Sequence, residues 1–535
     1  MTALAIQLVL AATLLADTDV RPDPAAKLRR TATAAEAAGD WEAAFAAYSQ
    51  LFVADRTAPD ARPKLNNALR RAQQVRRHRD PAFQQFTLNT TVGEALNLFA
   101  DVVTKVPANY ADRDRATPQM LWDFAVEEFE RALGNATFRA AFLGPHRPEK
   151  VEAFRKSLRQ FWAKRIITTA RDAKSTLREL IAAATETFAV RTPAAIAVEF
   201  VCGACSGLDE YTVFLTPEVE TRMVVADLSA QGLYLSYCDE GVFIESVVPS
   251  SWAALHTTLR KGDRILRANG RPLELGCPTA AGEALRFPTN GLHDLEVLPP
   301  GAVVSQSAKL PAAVPTVFGG RLMDADIGYL RVGRFTHTTP AELDTAVLNL
   351  KAQGMRVLVL DLRGNHGGSF TAGVETAKRL LPGGIIVTTQ GQLGEVAGRV
   401  FSSDSGMSAH DIPLVILIDT ETASAAELVA AALKDNNRAT LVGMPSFGKG
   451  AVQYPVKLTA LDGVEDGKPR DRSGSVRLTI AKLLSPRGVP LNGVGVNPNV
   501  LEANPHAQLD KAHQRAIDLL PTPMRMTMSG GSIPE

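Results

Sequence analysis

The spacing of apolar positions changes character along this chain. From about residue 25 to 82, stretches such as AAEAAGDWEAAFAAYSQLF place apolar residues at helical intervals on either side of a Gly39-Asp40-Trp41 turn, which predicts packed helices. The helical period continues over about 84–205, in segments such as LWDFAVEEFERAL, with breaks expected at Pro107, Gly144-Pro145 and Pro193. This region reads as a helical lead-in. After Leu208 the pattern turns to short β-rich runs, GLYLSY, GVFIESVV and DRILRAN, which predict a small β-rich domain over about 222–300. A Pro- and Ala-rich join, PPGAVVSQSAKLPAAVP, carries at most an edge strand, and a new domain is expected to start near Val317. From Ile327, IGYLRV, ELDTAVLNLKAQ, MRVLVLDL, TAGVETAKRLL, GIIVTT, PLVILID and AAELVAAALKD alternate as successive β-α units. Continuous runs such as RVLVLDL and PLVILID are what strands buried on both faces look like, so residues 317–505 predict an α/β core with residues 506–535 as a tail.

Length and composition narrow this picture. A chain of 535 residues exceeds what one hydrophobic core serves, so about two to four domains are expected. A net charge of +1 gives no reason to expect a nucleic-acid partner, and the basic clusters Arg70-Arg71 and Arg76-Arg77-His78-Arg79 on a helical pattern read as a solvated face. The first sixteen residues, MTALAIQLVLAATLLA, are apolar and run into Asp17-Thr18-Asp19, as a secretory signal peptide does, although no Lys or Arg precedes them. Export is the expectation. Four cysteines are too few for a disulfide framework; Cys202 and Cys205 read as a buried or locally bridged pair, and isolated Cys238 and Cys277 give no metal-ligand spacing. Neither a metal nor a cofactor is implied.

Candidate chemistry lies just beyond two strand ends, where α/β sheets gather reactive groups. In DLRGNHGG, residues 361–368, paired glycines let the backbone approach a ligand and turn N–H groups toward it, as an oxyanion hole needs, although a tight turn needs glycine too. In DTETASAAE, residues 419–427, a strand gives way to a helix starting near Ser424, where the free N–H groups favour a nucleophile's negative charge. The spacing of Ser424 and Glu427 equally fits a capping box with no catalysis. A base is offered by SFGKG: Lys449, between Gly448 and Gly450, serves if desolvation brings its amine toward neutrality, and Gln453 on the next strand is placed to orient it.

Four motifs in order, DLRGNHGG, TASAAELVAAALKDNNRATLVG, PSFGKGAVQ and SPRGVPLNGVGVNPNV, closely resemble the C-terminal processing peptidases, or tail-specific serine proteases. The resemblance covers roughly residues 205–505 and implies a multidomain α/β chain: a helical N-terminal region, a small PDZ-like β-rich domain and an α/β protease core of the crotonase/ClpP-like kind. It implies Ser424, Lys449 and Gln453 as the catalytic group, with backbone N–H groups of Gly367, Gly368 and Ala425 as the oxyanion hole. Asp435 matches a further family position, but about 16 Å of helical rise from Ser424 makes it supporting structure. LDEYTVFLTPE, residues 208–218, resembles the family's approach to its PDZ domain, whose carboxylate-binding loop is Gly232, Leu233, Tyr234 and Leu235. A PDZ module adds a chain terminus as a strand, so substrates with accessible C-termini are the implied partners. Two residues depart from the family pattern: Tyr234 stands where a second glycine is common, and His366 where proline is, the latter expected to be a substrate-edge or loop residue rather than a base.

Residues 25–82 resemble one tetratricopeptide-like unit, which cannot bury both faces by stacking on its own kind and is expected to pack on its neighbours or meet an adaptor. The family resemblance implies a serine endopeptidase working through an acyl-enzyme. A catalytically weak PDZ scaffold of the cell envelope and an acyl-thioester enzyme on a similar core are the alternatives.

Overall fold

The computed structural model describes residues 24–520 except 55–59, 218–227, 229–230, 239–240, 248–250, 274–283, 286–287, 289, 325, 393, 395, 405–409, 466–467 and 471. The apolar run of residues 1–16 lies outside the described residues.

The N-terminal helices are α1 (Pro24–Ala38), α2 (Trp41–Ala54), α3 (Ala61–Arg79), α4 (Pro81–Asn89), α5 (Val92–Asn109), α6 (Pro118–Gly134), α7 (Ala136–Phe142), α8 (Pro148–Gln160), α9 (Ala170–Thr187) and α10 (Ala194–Ser206). Several start where local chemistry supplies their free N–H groups with acceptors: capping boxes Thr91/Glu94 and Thr169/Asp172 open α5 and α9. Pro107 does not break α5, because it sits two residues before the end, where the carbonyl its ring disturbs is nearly the last. The helices from α4 onward are more than a lead-in: Phe99, Trp122, Phe129 and Phe200 form one core with Leu458, Val476, Leu478 and Ile480 of the C-terminal half. The basic clusters are a solvated face only in part, at Arg76 and Arg79. Arg70 and Arg77 pair with the fully buried Glu128, and Arg77 and His78 with Glu199, which is 1% exposed, so the charges clamp α3 onto α6 and α10. Cys202 and Cys205 are buried, unbridged thiols within this helical core.

After β1 (Val213–Leu215) comes a β-rich module: β2 (Leu233–Cys238), β3 (Gly241–Val247), α11 (Trp252–His256), β4 (Arg264–Ala268), β5 (Arg271–Pro272), β6 (Leu292–Leu298) and β7 (Gln306–Pro311). Its sheet runs β2-β3-β4-β6-β7 with β5 on β4, so among the described strands β2 pairs with β3 alone. Alternation along these strands turns Leu233, Leu235, Val242, Ile244, Ile265, Leu295 and Val297 into a core of their own.

The C-terminal core contains β8 (Val317–Asp324), β9 (Ile327–Val332), α12 (Thr339–Ala352), β10 (Val357–Asp361), α13 (Phe370–Leu380), β11 (Gly384–Gly391), β12 (Val400–Ser403), β13 (Leu414–Ile418), α14 (Ala425–Asp435), β14 (Ala439–Gly443), β15 (Ala451–Lys457), β16 (Gly463–Glu465), β17 (Lys468–Arg470), β18 (Ser475–Leu484), β19 (Val500–Leu501) and α15 (Pro505–Asp518). One sheet, β19-β14-β13-β10-β9-β8, is parallel from β9 to β19 with β8 antiparallel at the edge. Every residue of β10 and β13 is buried, as their unbroken apolar runs predict. α12, α13 and α14 cover one face; α15 covers the other, with Ala512 and Ala516 packed on Ile327, Val357 and Val415, so Pro505–Asp518 is a structural helix rather than tail, while 521–535 lie outside the described residues. GIIVTT is not a strand of the parallel sheet. As β11 it joins a second sheet, β1-β18-β11-β12 with β15 on β18, because its half-exposed pattern suits an antiparallel hairpin better than a two-face core.

Candidate active site

Because β10 and β13 are neighbours, with Asp361 opposite Leu417, the loops leaving their carboxyl ends meet. Both loops are fixed by carboxylates, Asp361 buried and Asp419 half-buried. Asp361 receives Arg363 through 2.7–3.1 Å side-chain contacts and the Tyr329 hydroxyl at 2.7 Å; burial pushes its carboxyl up, but these donors and Arg331 hold it below the usual range. Asp419 accepts the N–H groups of Gly364, Glu421 and Thr422 at 2.9–3.0 Å, tying one loop to the other.

The second loop ends at Ser424, whose backbone lies at φ 59°, ψ −120°, a conformation that side-chain-bearing residues avoid. A serine held on a strained turn between a buried strand and a helix is the arrangement that exposes a nucleophile. Ser424 and Glu427 keep the layout of a capping box, but the made hydrogen bond is the carboxylate half, from Ser424 N–H to Glu427 Oε2 at 2.8 Å, while the hydroxyl makes no cap bond.

Glu427 does more than cap. Its Oε1 accepts from Ser446 Oγ at 2.5 Å and Gly448 N–H at 2.6 Å, and its Oε2 accepts Lys449 N–H at 2.8 Å. The carboxylate is fully buried, which pushes its pKa up against the pull of these four donors. It thereby ties the serine turn to the loop carrying the lysine.

The Lys449 amine is brought down to about 8, chiefly by burial and further by the Arg477 guanidinium, with Glu427 pulling the other way. Its ammonium nitrogen lies 5.5 Å from the Tyr211 ring centroid, and Tyr211 is itself positioned by Arg477 Nε on its carbonyl at 3.2 Å. Gln453 sits at a bulge in β15, with its Nε2 buried and without a hydrogen-bond partner. No hydrogen bond joins Ser424 Oγ, Lys449 Nζ and Gln453 to one another; backbone contacts through Glu427 tie Ser424 to Lys449, and Gln453 follows four residues later. Beside Tyr211, a cavity of about 470 Å³ runs between α3 and the second sheet.

The glycine pair sits against the serine. A Cβ on Gly367 would lie 2.7 Å from Ser424 Cβ and 2.9 Å from Ala425 N, and one on Gly368 would lie 2.1 Å from the Phe335 carbonyl oxygen. Their φ of 93° and 140° admits glycine only. The Gly367 N–H is already donated to Asn365 Oδ1 at 2.9 Å, whereas those of Gly368 and Ala425 meet no acceptor among the described residues.

The family models match this chain as "Peptidase family S41" over residues 326–501 and "PDZ domain" over residues 223–289. The carboxyl-terminal-processing protease of Synechocystis sp. is 31% identical over 345 residues, 61% of this chain and 77% of that one. The chain belongs to peptidase family S41. A second such S41 relative, from Picosynechococcus sp., is 30% identical over 332 residues, covering 58% of this chain and 76% of its own. The chloroplastic carboxyl-terminal-processing peptidase 1 of Arabidopsis thaliana is 31% identical over 304 residues, 54% of this chain and 59% of that one. The photosystem II D1 C-terminal processing protease, a solved structure, aligns over 76% of this chain and 93% of its own at 23% identity and TM-score 0.41. This S41 chain is a serine-type peptidase with a helical N-terminal region and a PDZ domain.

Within the S41 core the structure gathers Ser424, Ala425 and Gly367 at one point, sets Gly368 against the Phe335 backbone, and brings the Lys449 loop to the serine turn through Glu427. In the PDZ domain Gly232 turns at φ 89°, while the Leu233 and Leu235 side chains are core, 1% and 6% exposed. Tyr234 stacks on His366, with ring centroids 4.6 Å apart and planes at 24°, so the two departures from the family pattern meet face to face. His366 Nε2 is 3.9 Å from Glu421 Oε2, too far for a hydrogen bond. Asp435 accepts from Ser485 Oγ at 2.6 Å and so braces the turn after β18. Tyr211 under the lysine escapes a reading of the sequence, since LDEYT reads only as the approach to the PDZ domain, and so does the half-buried Arg477, which has no local signature.

Proposed function

We propose that this S41 peptidase is an endopeptidase in which Ser424 is the nucleophile and neutral Lys449 its base. The observation that carries the reading is the pairing of a serine at φ 59° on a strand-to-helix turn with a lysine amine lowered to about 8, both tethered to Glu427. Lys449 takes the Ser424 proton, the alkoxide attacks the peptide carbonyl, and Lys449 then protonates the leaving amine. Water hydrolyses the ester by the reverse proton path. The oxyanion is held by the N–H groups of Gly368 and Ala425, joined by Gly367 when Asn365 releases it. Gln453 orients the amine through its carboxamide oxygen.

Substrates are unfolded proteins or peptides recognised by their C-terminus. The PDZ match over residues 223–289 supports this, since such a module takes a chain end as an added strand, here on β2 beside the Tyr234–His366 stack. No helix among the described residues is long and apolar enough to cross a membrane, and the apolar first sixteen residues support export. Hydrolysis of an unfolded protein with an apolar C-terminal tail tests the reading: either Ser424→Ala or Lys449→Ala abolishes cleavage, and blocking the tail by amidation slows it. Cleavage surviving Ser424→Ala would end the proposal.

A further inference from the structure

Residues 24–79 lie outside both stretches that the family models match, yet one side chain from them reaches the catalytic lysine's loop. Arg62, in the first turn of α3, donates through Nη2 to the Gly448 carbonyl at 3.3 Å and to Glu210 Oε1 at 2.7 Å. The α2 residue Phe52 lies under the guanidinium at 5.8 Å, so the α2–α3 hairpin sets its direction. The group is 20% exposed and its Glu210 partner 12%.

The Gly448 carbonyl and the Lys449 N–H are two ends of one peptide unit. The carbonyl end is shared by the Gly493 N–H at 2.9 Å and Arg62 Nη2 at 3.3 Å, and Glu427 Oε2 holds the N–H end at 2.8 Å. Gly448 has φ 90° and a Cβ there would lie 3.2 Å from Arg62 Nη1, so the glycine leaves room for the clamp. Glu210, the other partner of Arg62, directly precedes Tyr211, whose ring lies beneath the lysine amine.

We infer that Arg62 is a positioning residue for Lys449, which makes the docked N-terminal hairpin a part of the catalytic unit: with α2–α3 displaced, Ser424 stays in place while its base is misaligned. The inference rests on the Ser–Lys reading. Without Arg62 the carbonyl keeps only the Gly493 N–H, the peptide unit shifts about Gly448 and Gly450, and water reaches the Lys449 amine from the vacated side.

The test is steady-state hydrolysis by full-length Arg62→Ala, Arg62→Lys and Lys449→Ala proteins from pH 6 to 10, with thermal unfolding of each. Arg62→Ala is expected to lower kcat about tenfold or more with KM changed less than about twofold, and to move the rising limb of kcat up by about one pH unit from the parent's. Arg62→Lys recovers part of kcat. A folded Arg62→Ala protein with an unmoved limb overturns the inference, even if its rate is lower, because a merely structural loss leaves the base's titration in place. If Arg62→Ala does not fold, Glu210→Gln is read by the same limb: an upward shift supports the inference and none overturns it. Activity in Lys449→Ala is a separate failure, of the dyad itself, and removes the inference with it.

Discussion

Ser424 and Lys449 donate their backbone N–H groups to the same atom, Glu427 Oε2, each at 2.8 Å. The two residues stand 25 positions apart in the chain, one on the turn after β13 and the other on the loop between β14 and β15, and this shared oxygen ties the two loops together through backbone rather than through mobile side chains. A carboxamide offers one acceptor oxygen where four donors converge, so Glu427→Gln turns an NH₂ group on donors. We predict a kcat loss of about a hundredfold or more for Glu427→Gln, and for Glu427→Ala a further cost of about 3–5 kcal/mol in denaturant unfolding.

The lysine's burial has a stability signature. Its pKa is about 8 in the folded chain against 10.5 when unperturbed, so between these values the unfolded chain binds more protons and stability rises with pH. Below about 8 the cost of a buried ammonium is fully present. Lys449→Met is therefore expected to stabilise the protein at pH 7 by on the order of 2 kcal/mol and to give little gain above pH 10. Denaturant unfolding at the two pH values checks this; an equal gain at both contradicts it.

Backbone strain at Ser424 separates two inactive variants. At φ 59°, ψ −120° glycine is at ease and alanine is not. Ser424→Gly should be more stable than Ser424→Ala by about 1 kcal/mol in denaturant unfolding, the reverse of the order expected at an ordinary position of a helix.

The strands and their chemistry are legible where the signal is local. RVLVLDL and PLVILID read as fully buried strands and are, and the two loops beyond them carry their reactive signatures in sequence, without any sign that the loops adjoin. Ser424 and Glu427 are legible as a pair three apart, but not that the carboxylate also gathers Ser446, Gly448 and Lys449, because those arrive from a different loop. GIIVTT reads as one more parallel strand because a short apolar run carries no sign of which sheet it will join. The basic runs of α3 read as solvated because their partners, Glu128 and Glu199, sit on helices far along the chain, and Arg62 is hidden for the same reason.

Tyr234 and His366 couple strand β2 of the PDZ domain to the Asn365–Gly368 loop through one stacked pair. Such a contact is worth about 0.5–1.5 kcal/mol, enough to shift a loop equilibrium several-fold. Tyr234→Gly is expected to speed hydrogen exchange of the amides from Asn365 to Ser369 by about threefold or more, with unchanged exchange in β10 as the internal reference. Unchanged exchange in the loop would show that the stack restrains nothing.

Whether Lys449 is the base for Ser424 is decided by the pH dependence of kcat for cleavage of an unfolded protein by the parent, Ser424→Ala and Lys449→Ala proteins. The parent's rate should climb with a midpoint near pH 8, following the lowered amine, and both variants should be inactive across the range. A parent profile flat from pH 6 to 10, or cleavage that survives Lys449→Ala, would show that the lysine is not the base.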